Sequence, residues 1–250
     1  MKKILDTKII LNEEVAKNIY RLVVEADIDG KPGQFVNVQL GSNEFTLRRP
    51  FGIAMLDSDR LTMFYRVVGK GTKFLTTCKA GDEINLLAPL GNGFDFEVDE
   101  KILLVGGGLG LAPLLYAAAK IKNADIFIGG RNSEEVIFWQ NEFKSYAENI
   151  SVMTDDGSYG HKGFVTDELP EALTTTNYKK IFVCGPEIMM RKVAAIAKEK
   201  NISCQVSFEK RMACGLGACL SCSIDTINGR KKVCKDGPIF NADEVLYNEI

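Results

Sequence analysis

The sequence predicts an α+β multidomain chain in three parts. These are an antiparallel β-barrel over residues 1–98, an α/β domain with a parallel sheet over 99–207, and a small cysteine-bearing lobe over 208–250. Three observations carry this division. The first hundred residues hold short apolar or alternating runs broken by Gly, Asp and Asn, the pattern of an antiparallel barrel. The next hundred alternate strand, turn and helix patterns, which calls for a parallel sheet covered by helices. The last part packs three cysteines into nine residues of "RMACGLGACLSC", and a fourth, Cys234, follows twelve residues later.

In the barrel segment the strand candidates are "IYRLVVEA", "GQFVNVQL", "PFGIAML", "RLTMFYRVV" and "DEINLLAPL". The "FYRVVGKGT" stretch, taken alone, reads as a hairpin. In the α/β segment "KILLVGGGLGLAPLLYAAAKIK" reads as buried strand, glycine turn and helix. "DIFIGG" and "SVMTDDG" are further strands, with "SEEVIFWQNEFKSYA" an amphipathic helix between them. "KKIFVCGPEIMMRKVAAIAKEK" repeats strand, turn and helix. The single histidine, His161, reads as a loop residue rather than a catalytic base.

Composition excludes several classes. With 46% hydrophobic and 26% charged residues, a 250-residue chain has ample material for a core. A net charge of -2 offers no field for nucleic acid or an anionic membrane. Asp6, Lys8, Glu13 and Glu14 interrupt any apolar stretch at the start, so no secretory signal is expected. No run approaches the roughly 20 apolar residues of a membrane span. The expectation is a cytoplasmic protein, where thiols stay reduced.

Seven cysteines in such a chain need a chemical reason. Cys78, Cys184 and Cys204 are scattered, whereas Cys214, Cys219, Cys222 and Cys234 follow C-x4-C-x2-C-x11-C. Compartment and odd count speak against disulfides. Structural zinc is the rival, but zinc sites usually take two close ligand pairs and only Cys219 and Cys222 form one. The spacing is that of plant-type [2Fe–2S] centres. Gly215, Gly217 and Ala218 would let the backbone pass close to inorganic sulfide and turn its N–H groups toward it.

Two further stretches point to nucleotide binding. "GGGLG", Gly106 to Gly110, follows a strand and opens a helix, so backbone N–H groups and a helix N-terminus could meet a pyrophosphate. The match to G-x-G-x-x-G fails at its last position, Leu111. Cys184, Gly185 and Pro186 end a later strand, where parallel sheets bind ligands; the alternative is a buried cysteine before a proline-started helix. In the barrel, "LRRPFGIAML" places Arg48 and Arg49 beside Pro50 and Phe51. There an arginine could fork onto phosphate and the ring could stack on a flat cofactor. Asp125 stands near a position where an acid could hold a ribose 2′-OH, and Arg131 where a cation could hold a 2′-phosphate.

In this order, barrel, glycine-turn domain and cysteine lobe resemble the ferredoxin-reductase superfamily. "RRPFGIA", "GGGLGLAPL", "TDDGS", "CGPEIMM", "RMACGLGACLSC" and "VCKDGPIF" are similar to the electron-transfer subunits of class 1B, NAD-dependent dihydroorotate dehydrogenases. The resemblance covers essentially the whole chain. It implies FAD in the barrel, NAD on the α/β domain and a [2Fe–2S] cluster in the lobe. It also implies a partner, an FMN-containing catalytic subunit that oxidises dihydroorotate in pyrimidine biosynthesis, in a heterotetramer with two copies of each chain. It assigns Arg49 to the FAD phosphates and Phe51 to the isoalloxazine, with Pro50 and Gly52 on the same strand. Gly52 departs from the usual Ser or Thr. Tyr65, Arg66 and Val67, with Gly71 and Thr72, match the second flavin segment. Gly106, Gly107, Gly108 and Gly110, with Cys184, Gly185 and Pro186, match the nicotinamide face, and Cys214, Cys219, Cys222 and Cys234 the cluster ligands.

The implied order has a physical basis. NAD takes a hydride, a [2Fe–2S] centre passes single electrons, and flavin does both, so FAD belongs between them. Two alternatives stand beside this reading. One is the cluster-bearing reductase subunit of a bifurcating NADH–ferredoxin oxidoreductase, hydrogenase or sulfide dehydrogenase. The other is a zinc-stapled binding protein with no redox role.

Overall fold

The computed structural model describes residues 2–41 and 45–247. The N-terminal strands are β1 (Lys3–Ala16), β2 (Ile19–Glu25), β3 (Phe35–Gln39), β4 (Arg49–Gly52), β5 (Met55–Asp57) and β6 (Arg60–Arg66). Helix α1 (Lys70–Leu75) and β7 (Glu83–Leu90) complete this part. The strands form an antiparallel sheet in the order β4-β3-β7-β1-β2-β6-β5. Its two edges meet through one short stretch: Ile53 N–H donates to the Gln34 carbonyl at 3.0 Å and Ala54 N–H to the Thr62 carbonyl at 3.0 Å. The chain thus steps from one edge to the other and closes a barrel, which removes the exposed strand edges. Period-2 alternation fills it: Leu22 and Val24, Val36 and Val38, and Leu61, Met63 and Tyr65 share one buried cluster.

Two barrel features differ from the sequence reading. The longest strand, β1, buries only Ile9 fully and leaves the rest half-buried or exposed, so its apolar pattern is faint. It is held by backbone pairing to β7 over its first half and β2 over its second. The expected hairpin at "GKGT" is instead the start of α1. Thr72 Oγ1 accepts from Val68 N–H (2.9 Å) and Gly69 N–H (3.2 Å), which closes a helical turn where glycines alone suggested a β-turn.

The second sheet is built from β8 (Lys101–Gly107), β9 (Asn123–Gly130), β10 (Asn149–Thr154), β11 (His161–Lys162), β12 (Lys180–Cys184) and β13 (Ser203–Ser207). Helices α2 (Leu111–Lys120), α3 (Ser133–Phe143), α4 (Val165–Thr175) and α5 (Glu187–Glu199) connect them. All six strands pair in parallel, in the order β11-β10-β9-β8-β12-β13. The chain runs outward from β8 to β11 and returns to β12, so the order reverses between β8 and β12. The carboxyl ends there form the crevice in which such sheets take ligands. Pro170 and a polar composition hide α4 in the sequence, yet Val165, Leu169 and Leu173 bury one face of it.

The C-terminal part adds β14 (Ser223–Thr226), β15 (Gly229–Lys232), α6 (Val233–Asp236) and β16 (Ile239–Asn241). β14 and β15 form a hairpin, and β16 joins the edge of the second sheet antiparallel to β13. Against the barrel, Asn92 N–H donates to the Gly237 carbonyl at 2.6 Å and Asn92 Nδ2 to the Asp236 carbonyl at 3.0 Å. Cys222, Ile224, Val233, Cys234 and Phe240 share a buried cluster with Phe35, Leu87 and Leu90 of the barrel and Val183 and Val206 of the sheet.

Asp125 is the third residue of β9, near the amino end of the sheet and opposite the crevice. Its carboxylate accepts from Lys101 Nζ (2.9 Å), Asn149 Nδ2 (2.9 Å) and Tyr178 OH (2.7 Å). Burial alone would raise this carboxyl, but these donors hold it below the ordinary range. Its share of stability is therefore full above the ordinary carboxylate range and is lost as pH falls through the lowered value. Asp125→Ala should cost about 2–3 kcal/mol in urea unfolding at pH 7, since it strands buried donors. The gap between variant and wild type should narrow below about pH 4.

Candidate functional site

The crevice between barrel and second sheet opens into a cleft of about 1470 Å³. That exceeds the roughly 300–1,000 Å³ of an ordinary single-ligand pocket. The barrel contributes Arg49, Pro50, Phe51, Gly52, Tyr65, Arg66 and Thr72 to its lining. The sheet contributes Gly107, Gly108, Gly110, Cys184, Gly185 and Pro186. These stretches lie far apart in sequence and converge because β4 and β6 end beside the carboxyl ends of β8 and β12. Val67, Gly71 and Gly106 stand behind the surface. Val67 packs on the barrel core. A Cβ on Gly71 would meet Arg49 Nε at 2.9 Å, and one on Gly106 would meet Leu111 Cδ2 at 2.4 Å.

The barrel wall is apolar with cations at its edge. Phe51 leans on Tyr65 with ring centroids 5.8 Å apart. Tyr65 is buried, and its hydroxyl points away to Asn12 Oδ1 at 2.9 Å, so it offers the cleft its ring. The Arg49 guanidinium lies 5.9 Å over the Phe45 ring and donates to the Leu47 carbonyl. Arg48 turns aside to the carbonyls of Asn37 (3.2 Å) and Asn85 (3.3 Å). Only a Pro113 contact at 3.6 Å faces a Cβ built on Gly52, so a small side chain fits there.

The sheet wall is bare backbone. A Cβ on Gly110 would lie 2.4 Å from the Cys184 carbonyl oxygen, so glycine there lets the turns after β8 and β12 touch. Burial pushes the Cys184 thiol well up, with the Glu209 charge adding to it, so it stays protonated at neutral pH. Glu209 and Met212 also line the cleft, and burial raises the Glu209 carboxyl. Arg131 lies on the cleft rim, but its Nε donates to Glu135 Oε1 at 2.9 Å. Asp125, the other ribose candidate, is excluded by its position at the opposite edge. His161 sits exposed in β11, with Nδ1 2.9 Å from Glu168 Oε1 and away from the cleft lining.

The four spaced cysteines fall into two neighbouring pairs. The Cys214 and Cys219 thiols interact, as do those of Cys222 and Cys234, and the charge of Cys214 also reaches Cys234. Cys234 N–H also donates to Cys222 Sγ at 3.4 Å, and Leu216 N–H to Cys214 Sγ at 3.3 Å. Burial would raise Cys214, but the N–H groups of Leu216, Cys219 and Ala218 and the Cys219 thiol bring it to about 6. Among the described residues, no three His, Cys, Asp or Glu side chains gather as a single ion requires. Two thiol pairs with backbone N–H groups aimed at sulfur suit two adjacent irons. Cys222 and Cys234 are buried, while Cys219 is exposed beside Leu216 and Leu220.

Fold, cleft and thiol pairs together define a flavoprotein reductase of the ferredoxin-reductase type with an iron–sulfur lobe. Residues 209–246 match the iron–sulfur cluster binding domain of dihydroorotate dehydrogenase B, and residues 104–195 an oxidoreductase NAD-binding domain. The electron transfer subunit of NAD(+)-dependent dihydroorotate dehydrogenase B from Clostridium acetobutylicum is 39% identical, over 97% of this chain and 97% of that protein. Its Clostridium perfringens counterpart is 41% identical over 96% and 97%. A solved NADH-dependent reduced ferredoxin–NADP oxidoreductase, described for flavin-based electron bifurcation, superposes with a TM-score of 0.84 at 30% identity, over 96% of this chain and 89% of that one. The chain belongs to the family of dihydroorotate dehydrogenase B electron transfer subunits. It is an oxidoreductase subunit that works with a catalytic partner.

The sequence reading missed Glu209, Met212, Gly129 and Pro113 as lining residues; Met212 and Pro113 lie inside the quoted motifs, but the signal there is carried by cysteines and glycines alone. Gly110→Ala should part the two turns at the cleft floor. The expected cost is about 1–3 kcal/mol of stability, together with weaker NADH binding, checked by thermal unfolding and by flavin fluorescence titration.

Proposed function

We propose that this chain relays electrons from the FMN of a catalytic dihydroorotate dehydrogenase subunit through [2Fe–2S] and FAD to NAD, in pyrimidine biosynthesis. The observation that carries the reading is the continuity of site and lobe. Phe35 lines the cleft and shares its buried cluster with Cys222 and Cys234, and Met212 lines the cleft two residues before Cys214. FAD supplies the exchange between hydride pairs and single electrons. Arg49 holds its phosphates by charge-assisted hydrogen bonds, while Pro50, Phe51 and the Tyr65 ring bed the flavin and keep water from it. Gly107, Gly108 and Gly110 present backbone to the NAD pyrophosphate, with Cys184, Gly185 and Pro186 at the nicotinamide. Glu135 neutralises Arg131, which favours NAD over a 2′-phosphorylated cofactor. Cys214, Cys219, Cys222 and Cys234 would hold the cluster, which would pass electrons singly.

The three sequence-defined parts act as flavin, nicotinamide and cluster domains, and the assembly is a cytoplasmic heterotetramer with two copies of each chain. No helix among the described residues is long and apolar enough to cross a membrane. Exposed Cys219, Leu216 and Leu220 form the face that meets the FMN subunit. The overall reaction is dihydroorotate plus NAD+ to orotate, NADH and a proton. The cleft lining would serve one flavin with a nicotinamide beside it, so substrate oxidation would fall to the partner.

Arg49→Ala should weaken FAD retention by roughly 1.5–3 kcal/mol, read as flavin content after dialysis and gel filtration. Equal flavin in variant and wild type would count against the assignment. The purified chain alone should reduce artificial dyes with NADH under anaerobic conditions and leave dihydroorotate untouched. Mixing with the FMN subunit should give NAD-linked oxidation. The likeness to the bifurcating reductase favours a second reading, ferredoxin-linked NADH oxidation. Dihydroorotate oxidation by the chain alone, or none with the partner, would overturn the relay.

A further inference from the structure

The side chain of Asn37 is a buried polar group that the functional reading leaves unused. It sits at the centre of β3 between Val36 and Val38 and is only 1% exposed. Both its amide atoms, Nδ2 and Oδ1, are buried without a hydrogen-bond partner among the described residues. A bare buried amide costs about 1–3 kcal/mol for each unmet group, so such groups are rare without a purpose. The backbone of Asn37 is already employed: it pairs across to Pro50 of β4 and Leu87 of β7, and its carbonyl accepts from Arg48.

The direction of the side chain is informative. A Cβ built on Gly215 would lie 2.0 Å from Asn37 Nδ2 and 3.5 Å from Leu90 Cδ1. The amide is therefore pressed against the cysteine loop, at the residue that follows Cys214. Gly215 holds φ +67°, so both its conformation and its neighbour demand glycine. An amide with donors unmet among the described residues, packed against the loop that carries the spaced cysteines, is suited to a sulfur acceptor.

We propose that Asn37 is a positioning residue for the cluster: Nδ2 donates a hydrogen bond to a sulfur of the [2Fe–2S] centre and thereby holds its potential up. The proposal rests on the cluster reading above. Hydrogen bonds to cluster sulfurs stabilise the more negative, reduced form, so they raise the reduction potential. A barrel residue would then set the potential of a centre whose ligands all come from the other end of the chain.

The test uses the complete complex with the FMN subunit. EPR-monitored redox titration of the wild type, Asn37→Leu and Asn37→Asp should give potentials falling in that order. Leu removes the donor, and Asp replaces it with a negative acceptor. Protein labelled with 15N-asparagine should show a nitrogen coupling in pulsed EPR of the reduced centre, and Asn37→Ser should abolish it. Unchanged potentials in variants that retain iron would overturn the proposal, as would absence of the nitrogen coupling in wild type. Should the Leu and Asp variants fail to fold, the labelled wild type and Asn37→Ser decide alone. A wild type with no cluster signal at all would instead refute the cluster reading on which the proposal stands.

Discussion

The C-terminal lobe cannot form a core of its own, and the rest of the architecture follows from that. Its regular structure is a two-stranded hairpin, one helical turn, a three-residue strand and a short 3-10 turn at Ala242–Glu244. An isolated piece of this kind buries too little apolar surface to fold. It is stable because β16 completes the edge of the α/β sheet and because Cys222, Ile224, Val233, Cys234 and Phe240 share a core with barrel and sheet. Attaching the lobe this way fixes the cysteines relative to the cleft. Electron passage depends on such fixed placement, so the packing that stabilises the lobe also sets its redox geometry.

The same economy governs the cleft. The sheet wall is mostly backbone and small side chains at the ends of β8 and β12, while β4 and β6 add aromatic rings and arginines, all at positions set by two sheets. The only histidine stands outside the cleft lining, and Cys184 is held protonated by burial. This suits a protein whose cofactors carry the reaction while the chain orients them and tunes their surroundings. The barrel and α/β domain are locked by specific contacts that reinforce this. Arg21 Nη2 donates to Glu142 Oε1 at 2.6 Å, and Tyr116 OH donates to the Gly30 carbonyl at 3.1 Å.

Much of this was legible in the sequence because its signals are local. Period-2 alternation in β2, β3 and β6, the strand-turn-helix units around Gly106 and Cys184, and the cysteine spacing each depend on neighbours within a few residues. What escaped depends on distant partners. β1 reads faintly because it supplies backbone pairing more than buried side chains. α4 hides behind Pro170, and α1 is closed by a threonine hydroxyl within a glycine-rich stretch. Asp125 fits a ribose ligand by sequence separation, yet it lies at the wrong end of β9 and is saturated by Lys101, Asn149 and Tyr178. Asn37 carries no sequence signal of its own; its place becomes visible only where the cysteine loop covers it. β16 shows no strand signal at three residues and exists only through β13.

The central claim is that one chain couples a nicotinamide cleft to a two-iron centre through a flavin. Low-temperature EPR of the anaerobically purified chain after addition of NADH tests it most directly, alongside flavin, iron and sulfide analysis. The account predicts one FAD, two irons and two inorganic sulfides per chain, and a signal from a reduced [2Fe–2S] centre that develops with NADH. A chain with full FAD but neither iron nor sulfide, or with a cluster that NADH leaves oxidised while the flavin is reduced, would contradict it.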